Sequence, residues 1–335
     1  MTKATVTKDR AWIKHVIGGG ITLICLAAII RLVKFSEVMA ALKQFEWHYL
    51  ILGVLSLAVG YSVRILRWSV MLSAGSSAVS FGNCSAPFLG AIALNNLLPL
   101  RLGDVVRALV FPGAMGVTKT AAATSLVVER LIDLVTLLAC LALGILAIQT
   151  LQVPSALRES ALVLALLGGI ALAVGFFFSG SFARLFNKLG GGTEKSKGSA
   201  ALQRIFRTVA GLFESFDIMS RPRILGMMLL LSMLVWLGES GLFYFALRGL
   251  GLDATPLMAL LVMAIATLST LAPSSPGYVG PFHLAAFTAV SLIGGSSAQA
   301  GSYAVIVHLA LWVPTTIVGA LAIWSRPALF KAARK

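Results

Sequence analysis

Long stretches without a charged side chain decide what this chain can fold into. Ile21 to Ile30, Leu50 to Val63, Ala161 to Phe178 and Ile224 to Trp236 contain no Asp, Glu, Lys or Arg. Each belongs to a stretch near the roughly 20 residues a helix needs to cross the hydrocarbon of a bilayer. Across the 335 residues, 58% are hydrophobic and 12% charged, whereas soluble domains carry about one-quarter charged residues. The sequence therefore predicts an all-α polytopic membrane protein, with residues 1–335 as a single integral membrane domain.

The net charge of +15 would raise the question of nucleic acid in a soluble protein, so its location matters. It gathers in residues 1–15, in residues 181–222 and in the tail from Arg326. Basic loops in a hydrophobic chain report orientation by the positive-inside rule and suit an anionic inner leaflet. This pattern argues against nucleic-acid binding and predicts a multi-pass protein of a cytoplasmic membrane with both termini inside. The basic stretch before the first apolar run is read as leading into a retained span, since Arg31, Leu32 and Val33 follow where a cleavage site would need small residues. Cys25, Cys84 and Cys140 are too dispersed for a disulfide framework or a zinc site, and no cofactor or metal is expected.

Six full spans are predicted at about 16–33, 49–72, 118–148, 160–180, 223–247 and 299–325. Stretches 86–98 and 256–272 differ, because a Pro/Gly-rich break and a second short apolar piece follow each. Read as re-entrant hairpins, they leave all three basic regions on one side. Leu94, Leu97, Pro99, Gly103 and Val105 match Leu268, Leu271, Pro273, Gly277 and Val279 in spacing, 174 residues apart. With three crossings in each half, residues 16–150 and 160–325 form an inverted repeat, a plan used by many transporters. Residues 181–222 are read as a cytoplasmic linker, flexible over 190–199, with an amphipathic helix at 199–219 lying on the inner leaflet.

Charge inside a membrane is costly, about 2.5 to 3.5 kcal/mol per residue on insertion scales, so it marks candidates. Arg64 and Arg67 share a face of the second span, with interface anchoring as an equal alternative. Arg101, Asp104 and Arg107 follow the first break at three-residue spacing. There Asn95 and Asn96 offer amides to a cavity, Gly103 permits close backbone approach, and Asp104 is the expected N-cap of a helix over 104–115. Arg101 and Arg107 suit an anionic headgroup, since guanidinium grips phosphate in a bidentate way; the alternative is an anchoring ion cluster. In the third span Glu129, Arg130 and Asp133 allow one intrahelical pair and leave a spare carboxylate. The functional reading is that the spare carboxylate takes up a proton during transport, as Asp/Glu relays do in pumps; the alternative is ion pairing across helices to Arg101 or Arg107, favoured for Arg130 and Asp133, with Glu129 open to either. Glu239 lies in the fifth span. The second break offers backbone and hydroxyl groups only, with Pro273, Pro276, Gly277 and Gly280 as backbone breakers and His283 and His308 as packing hydrogen-bonders. No protease-like serine turn is present, and no catalytic residue is expected.

Together NNLLPLRLGDVVRA, ERLID and PSSPGYVGPF resemble the flippase-like membrane family best known as the transmembrane region of lysylphosphatidylglycerol synthase. The resemblance implies movement of a polar-headed lipid between leaflets. It carries over to Asn96, Pro99, Arg101, Gly103, Asp104 and Arg107, to Glu129, Arg130 and Asp133, and to Pro273, Pro276, Gly277 and Gly280. The chain is read as a stand-alone member without the soluble aminoacyl-transferring domain, and Tyr278 and His283 depart from the glycine pair and acidic residue frequent in the third motif. The expected function is a lipid translocase, not an enzyme, whose partner is a membrane lipid as substrate. The alternatives are a membrane enzyme acting on a polyprenyl or phospholipid phosphate with Glu129 as base, and a non-catalytic subunit of a lipid-modifying complex. Monomer and homo-oligomer are both compatible with the sequence.

Overall fold

The computed structural model describes residues 8–32, 35–74, 78–147, 155–190, 200–272 and 274–331. Among them there is no strand. The helices are α1 (Lys8–Leu32), α2 (Phe35–Lys43), α3 (Trp47–Ala74), α4 (Phe81–Leu97), α5 (Leu102–Leu109), α6 (Pro112–Met115) and α7 (Lys119–Ala147). They continue with α8 (Ser155–Gly190), α9 (Ala200–Met219), α10 (Pro222–Gly249), α11 (Pro256–Ser269), α12 (Pro281–Leu292), α13 (Ser297–Trp324) and α14 (Ala328–Lys331). Helix is the structure the bilayer imposes, because it satisfies backbone donors and acceptors within one segment.

Among the described residues, α3, α10 and α13 are the helices long and apolar enough to cross a membrane by length and composition, each with 28 residues. Shorter apolar pieces lie at Gly19–Arg31, Leu162–Ala171 and Pro256–Ser269. Helix α7 is as long but carries Glu129, Arg130 and Asp133 in its middle. The lipid-facing surface is apolar, with Leu55, Val59, Leu230, Met233 and Ile317 more than half exposed.

Helices α3 and α10 form the central pair. Tyr49 lies beside Gly249, Gly60 beside Gly238, and Arg67 beside Ser232, so the two run antiparallel. A Cβ on Gly238 would stand 2.7 Å from the Gly60 Cα and 2.8 Å from its nitrogen, so the two backbones touch. Small residues at a membrane helix crossing permit this approach, and dispersion between close backbones replaces the hydrophobic drive that lipid does not provide. The Ser56 hydroxyl donates to the Gly238 carbonyl at 2.8 Å, adding a polar tie to the seam.

The same elements recur on either side of this seam. Helices α3 and α10 begin 175 residues apart, as do α4 and α11. Helix α4 packs on α13 and α11 on α7, while α5 packs on α7 and α12 on α13. Each of the pairs α4–α5 and α11–α12 thus packs on both α7 and α13.

Several expectations need correction. Helix α8 does not stop near 180 but runs to Gly190, because Phe182 and Phe186 stack on Phe213 of α9 with centroids 5.3 and 5.6 Å apart. The apolar face of α9 is correspondingly covered by protein at Ala210, Phe216 and Met219. The linker stretch 191–199 lies outside the described residues. After the first break the chain forms α5 and the short α6 instead of one helix over 104–115. The segment between the first two spans holds α2, which had no place in the predicted topology.

Gly238→Ala is expected to destabilise the protein by roughly 1 to 3 kcal/mol through overpacking of the seam. Gly226→Ala, in the same helix but with nothing within 4 Å of the added carbon, serves as control, and thermal unfolding in detergent compares the two.

Candidate functional site

The first break begins where α4 ends. Leu98 is extended, Pro99–Arg101 form a single 3-10 turn, and Arg101 turns left-handed at φ 53° before α5 starts. Asp104 is thus inside α5 and not its N-cap, as the spacing had suggested; the helix has no side-chain cap. Its backbone N–H and carboxylate are satisfied sideways by Asn95: the Asp104 N–H donates to Asn95 Oδ1 at 3.0 Å, and Asn95 Nδ2 donates to Asp104 Oδ1 at 2.9 Å. Gly103 allows this fold-back, since a Cβ there would collide with the Ala91 carbonyl and stand 2.8 Å from the Asn95 nitrogen.

The charges beyond the break find partners on other helices. Arg107 donates to Glu129 at 2.5 and 3.4 Å, its guanidinium lying 4.8 Å from the ring centroids of both Trp68 and Phe88. Arg130 donates to both oxygens of Asp104, at 2.9 and 3.1 Å, and makes no intrahelical pair with Asp133. Arg67, fully buried, donates to Asp133 at 2.7 and 3.2 Å and to Ser232 at 2.7 Å. Arg64 donates to Glu239 at 2.5 Å, has Asp133 at 3.8 Å, and lies 4.8 Å from the Trp236 ring. Among the described residues, four arginines and four carboxylates of α3, α5, α7 and α10 therefore neutralise one another. Removing one partner of a buried pair typically costs more than the pair contributes, because the survivor is left charged in a low-dielectric interior.

Arg101 is the exception. Among the described residues no carboxylate pairs with it; its Nη2 donates to the Thr270 carbonyl and hydroxyl at 3.3 and 3.2 Å, and its guanidinium lies 5.4 Å from the Tyr278 ring centroid. Thr270 and Tyr278 belong to the second break. There Gly277 (φ 75°), Tyr278 (φ 59°) and Gly280 (φ 97°) all take left-handed backbone conformations. Pro276 opens a 3-10 turn, and Pro273 lies outside the described residues. Arg101 and Tyr278, the two described non-glycine residues with positive φ, thus meet each other. Helix α1 fastens the second break from outside: the Thr22 hydroxyl donates to the Val279 carbonyl at 3.0 Å and accepts from the Ser275 N–H at 3.2 Å.

Where the breaks meet, a cavity of about 130 Å³ opens between the central helices. Tyr61 of α3, Glu239 of α10, Asn96 of α4, and Thr267 and Thr270 at the end of α11 line one part. Tyr278 and Phe282 with His308, Trp312 and Thr315 of α13 line the rest. Asn96 Nδ2 donates to the hydroxyls of Thr315 and Thr316 at 3.1 and 2.9 Å, and Trp312 Nε1 donates to the Asn96 carbonyl at 3.4 Å. His308 Nε2 donates to the Gly277 carbonyl at 2.7 Å, while the His283 ring stands 4.4 Å from that of His308.

Of the residues singled out in the sequence, Asn96, Glu239, Gly277, Tyr278 and His308 line this cavity, and Arg101 touches two of its lining residues. Asn95, Asp104, Arg107, Glu129, Arg130, Arg67 and Asp133 sit in the ion-pair network, and Arg64 joins that network to Glu239. Tyr61, Thr267, Thr270, Trp312 and Thr315 were not foreseen. Their only signal in the sequence is a polar or amphipathic residue within an apolar helix.

The family model described as "Lysylphosphatidylglycerol synthase TM region" matches residues 15–319 of the chain. No match is found among curated proteins.

Arg107→Ala, which strands Glu129, is expected to cost about 3 to 5 kcal/mol, whereas Arg107→Leu combined with Glu129→Leu should restore most of it. Arg248→Ala, at an exposed pair, should change little. Thermal unfolding in detergent compares the three; equal losses for Arg107→Ala and Arg248→Ala would refute the buried-pair account.

Proposed function

The chain belongs to the family of the lysylphosphatidylglycerol synthase transmembrane region, and from that premise we propose that it is a lipid translocase for a polar-headed, phosphate-containing lipid. The observation that carries the reading is Arg101. It is the one embedded cation, among the described residues, without a carboxylate, and it stands beside the cavity where two broken helices meet. Non-helical backbone at membrane depth is tolerated against protein or a water-filled cavity, and paired broken helices are how many transporters hold substrate. A guanidinium held only by a hydroxyl, a carbonyl and an aromatic face can exchange those weak contacts for a phosphate.

In this reading six helices, α1, α3, α7, α8, α10 and α13, cross the membrane, and α4–α5 and α11–α12 are re-entrant hairpins of an inverted repeat. The antiparallel pairing of α3 with α10 and the 175-residue recurrence support it. By the distribution of Lys and Arg, both termini and the α8–α9 region face the cytoplasm. The lipid headgroup enters the cavity beside Arg101 while its acyl chains stay in the bilayer, and rearrangement of the two breaks passes it to the other leaflet. A phosphate-cleaving enzyme with Glu129 as base has less support, because Arg107 occupies both oxygens of that carboxylate.

Arg101→Ala is expected to slow phospholipid exchange between leaflets of proteoliposomes by about tenfold or more, the loss of one charge-assisted contact. Arg101→Lys should recover part of the rate and Arg248→Ala should match the wild type; an unchanged Arg101→Ala rate would remove this residue from the mechanism. For the topology, a membrane-impermeant thiol reagent should label Arg221→Cys from the cytoplasmic face and Asp253→Cys from the opposite face. Labelling of both from one side contradicts a spanning α10.

A further inference from the structure

We propose that Glu239 is a proton-binding site that couples lipid movement to a proton gradient, an inference that rests on the translocase reading. Glu239 is the one carboxylate, among the described residues, that lines the cavity. Asp104, Glu129 and Asp133 instead point into the ion-pair network behind it. Its side chain is 10% exposed and its single ion-pair partner is Arg64, at 2.5 Å. Glu239 therefore stands between the cavity and an arginine that is itself outside the lining.

The partners of the two groups are unequal. Arg64 has a second carboxylate, Asp133, at 3.8 Å, and the faces of Trp236 and Tyr61 at 4.8 and 5.7 Å. Losing Glu239 leaves it in contact with negative charge. Glu239 has no second cation among the described residues. The groups that face it are Arg64 and Tyr61 from α3, Tyr278 from the second break and His308 from α13. Helix α11 presents Thr267 and Thr270, and α7 places Asp133, Glu129 and Arg130 beyond Arg64. A carboxylate deprived of its arginine at this depth takes up a proton, because an isolated ion in a low-dielectric surround costs far more than neutralisation.

The step balances as an exchange. When the lipid phosphate binds beside Arg101, a second negative charge stands in the cavity with Glu239; Arg64 turns to Asp133, 3.8 Å away, and the Glu239 carboxylate binds a proton from cavity water, becoming a neutral carboxyl while Arg64 remains protonated. When the phosphate leaves on the other side, Arg64 returns to Glu239 and the proton passes to water there. No bond other than O–H forms or breaks. One proton and one phosphate occupy the site together, and by linkage each promotes the binding of the other.

Two measurements test this. In proteoliposomes of phosphatidylethanolamine and phosphatidylglycerol containing acyl-labelled phosphatidylglycerol, an imposed pH gradient should displace the leaflet distribution by up to about tenfold per pH unit. Glu239→Gln should abolish that displacement and Glu239→Asp should retain it. Separately, infrared difference spectra of the purified protein with and without phosphatidylglycerol should show the carbonyl stretch of a protonated carboxyl group, missing in Glu239→Gln. Lipid exchange in the wild type without any response to pH, or a carboxyl band that survives in Glu239→Gln, overturns the proton site and leaves the translocase standing. Absence of lipid exchange under every gradient defeats the translocase reading, and the coupling falls with it.

Discussion

Neutralisation of charge inside the membrane governs this structure. Among the described residues, nine charged side chains lie at or near the level of the two breaks, and eight of them are arranged as arginine–carboxylate contacts between different helices. None of these helices could hold its charge alone in lipid. Helix α5 is bound to α7 by Arg107–Glu129 and Arg130–Asp104, α3 to α7 by Arg67–Asp133, and α3 to α10 by Arg64–Glu239. The network thus fixes where the first break sits relative to the central seam. The aromatic rings of Trp68, Phe88 and Trp236 stand against the arginine faces and shield the pairs.

A neutral network also makes its one omission meaningful. Arg101 extends toward the second break, not toward the carboxylates. Glu239 closes the network on the side of the cavity. Among the described residues, one cation without a carboxylate and one carboxylate are therefore the charged groups at the cavity, with hydroxyls, amides and aromatic edges making up the remainder.

The helices long and apolar enough to cross a membrane were legible in the sequence because their signal is one-dimensional: length and a low share of charge suffice for α3, α10 and α13. The proline breaks were legible for a similar reason, since Pro99 and Pro276 remove donors wherever they stand. Partnerships were not. Three-residue spacing places Arg101, Asp104 and Arg107 on one face of a helix but cannot say that Asp104 meets Arg130 while Arg107 meets Glu129. Asp104 looked like a cap because Asp so often is one; Asn95, nine residues earlier, instead satisfies its N–H across the fold-back. The end of α8 was missed because basic residues read as a loop, whereas Phe182 and Phe186 carried the stronger instruction to pack on Phe213. The cavity residues were hidden by their ordinariness, threonine and tyrosine being common in membrane helices.

The meeting of Arg101 with Thr270 and Tyr278 bears on how the protein is made. Each break contains a residue in a backbone conformation that L-amino acids take at a cost, and what stands against each is the opposite break. These contacts do not exist until the later segment has left the ribosome and entered the bilayer. The first break must therefore wait for about half the chain to be synthesised before its turn acquires its final set of partners. Biogenesis of this fold ends with the joining of two halves that remain unfinished until they meet.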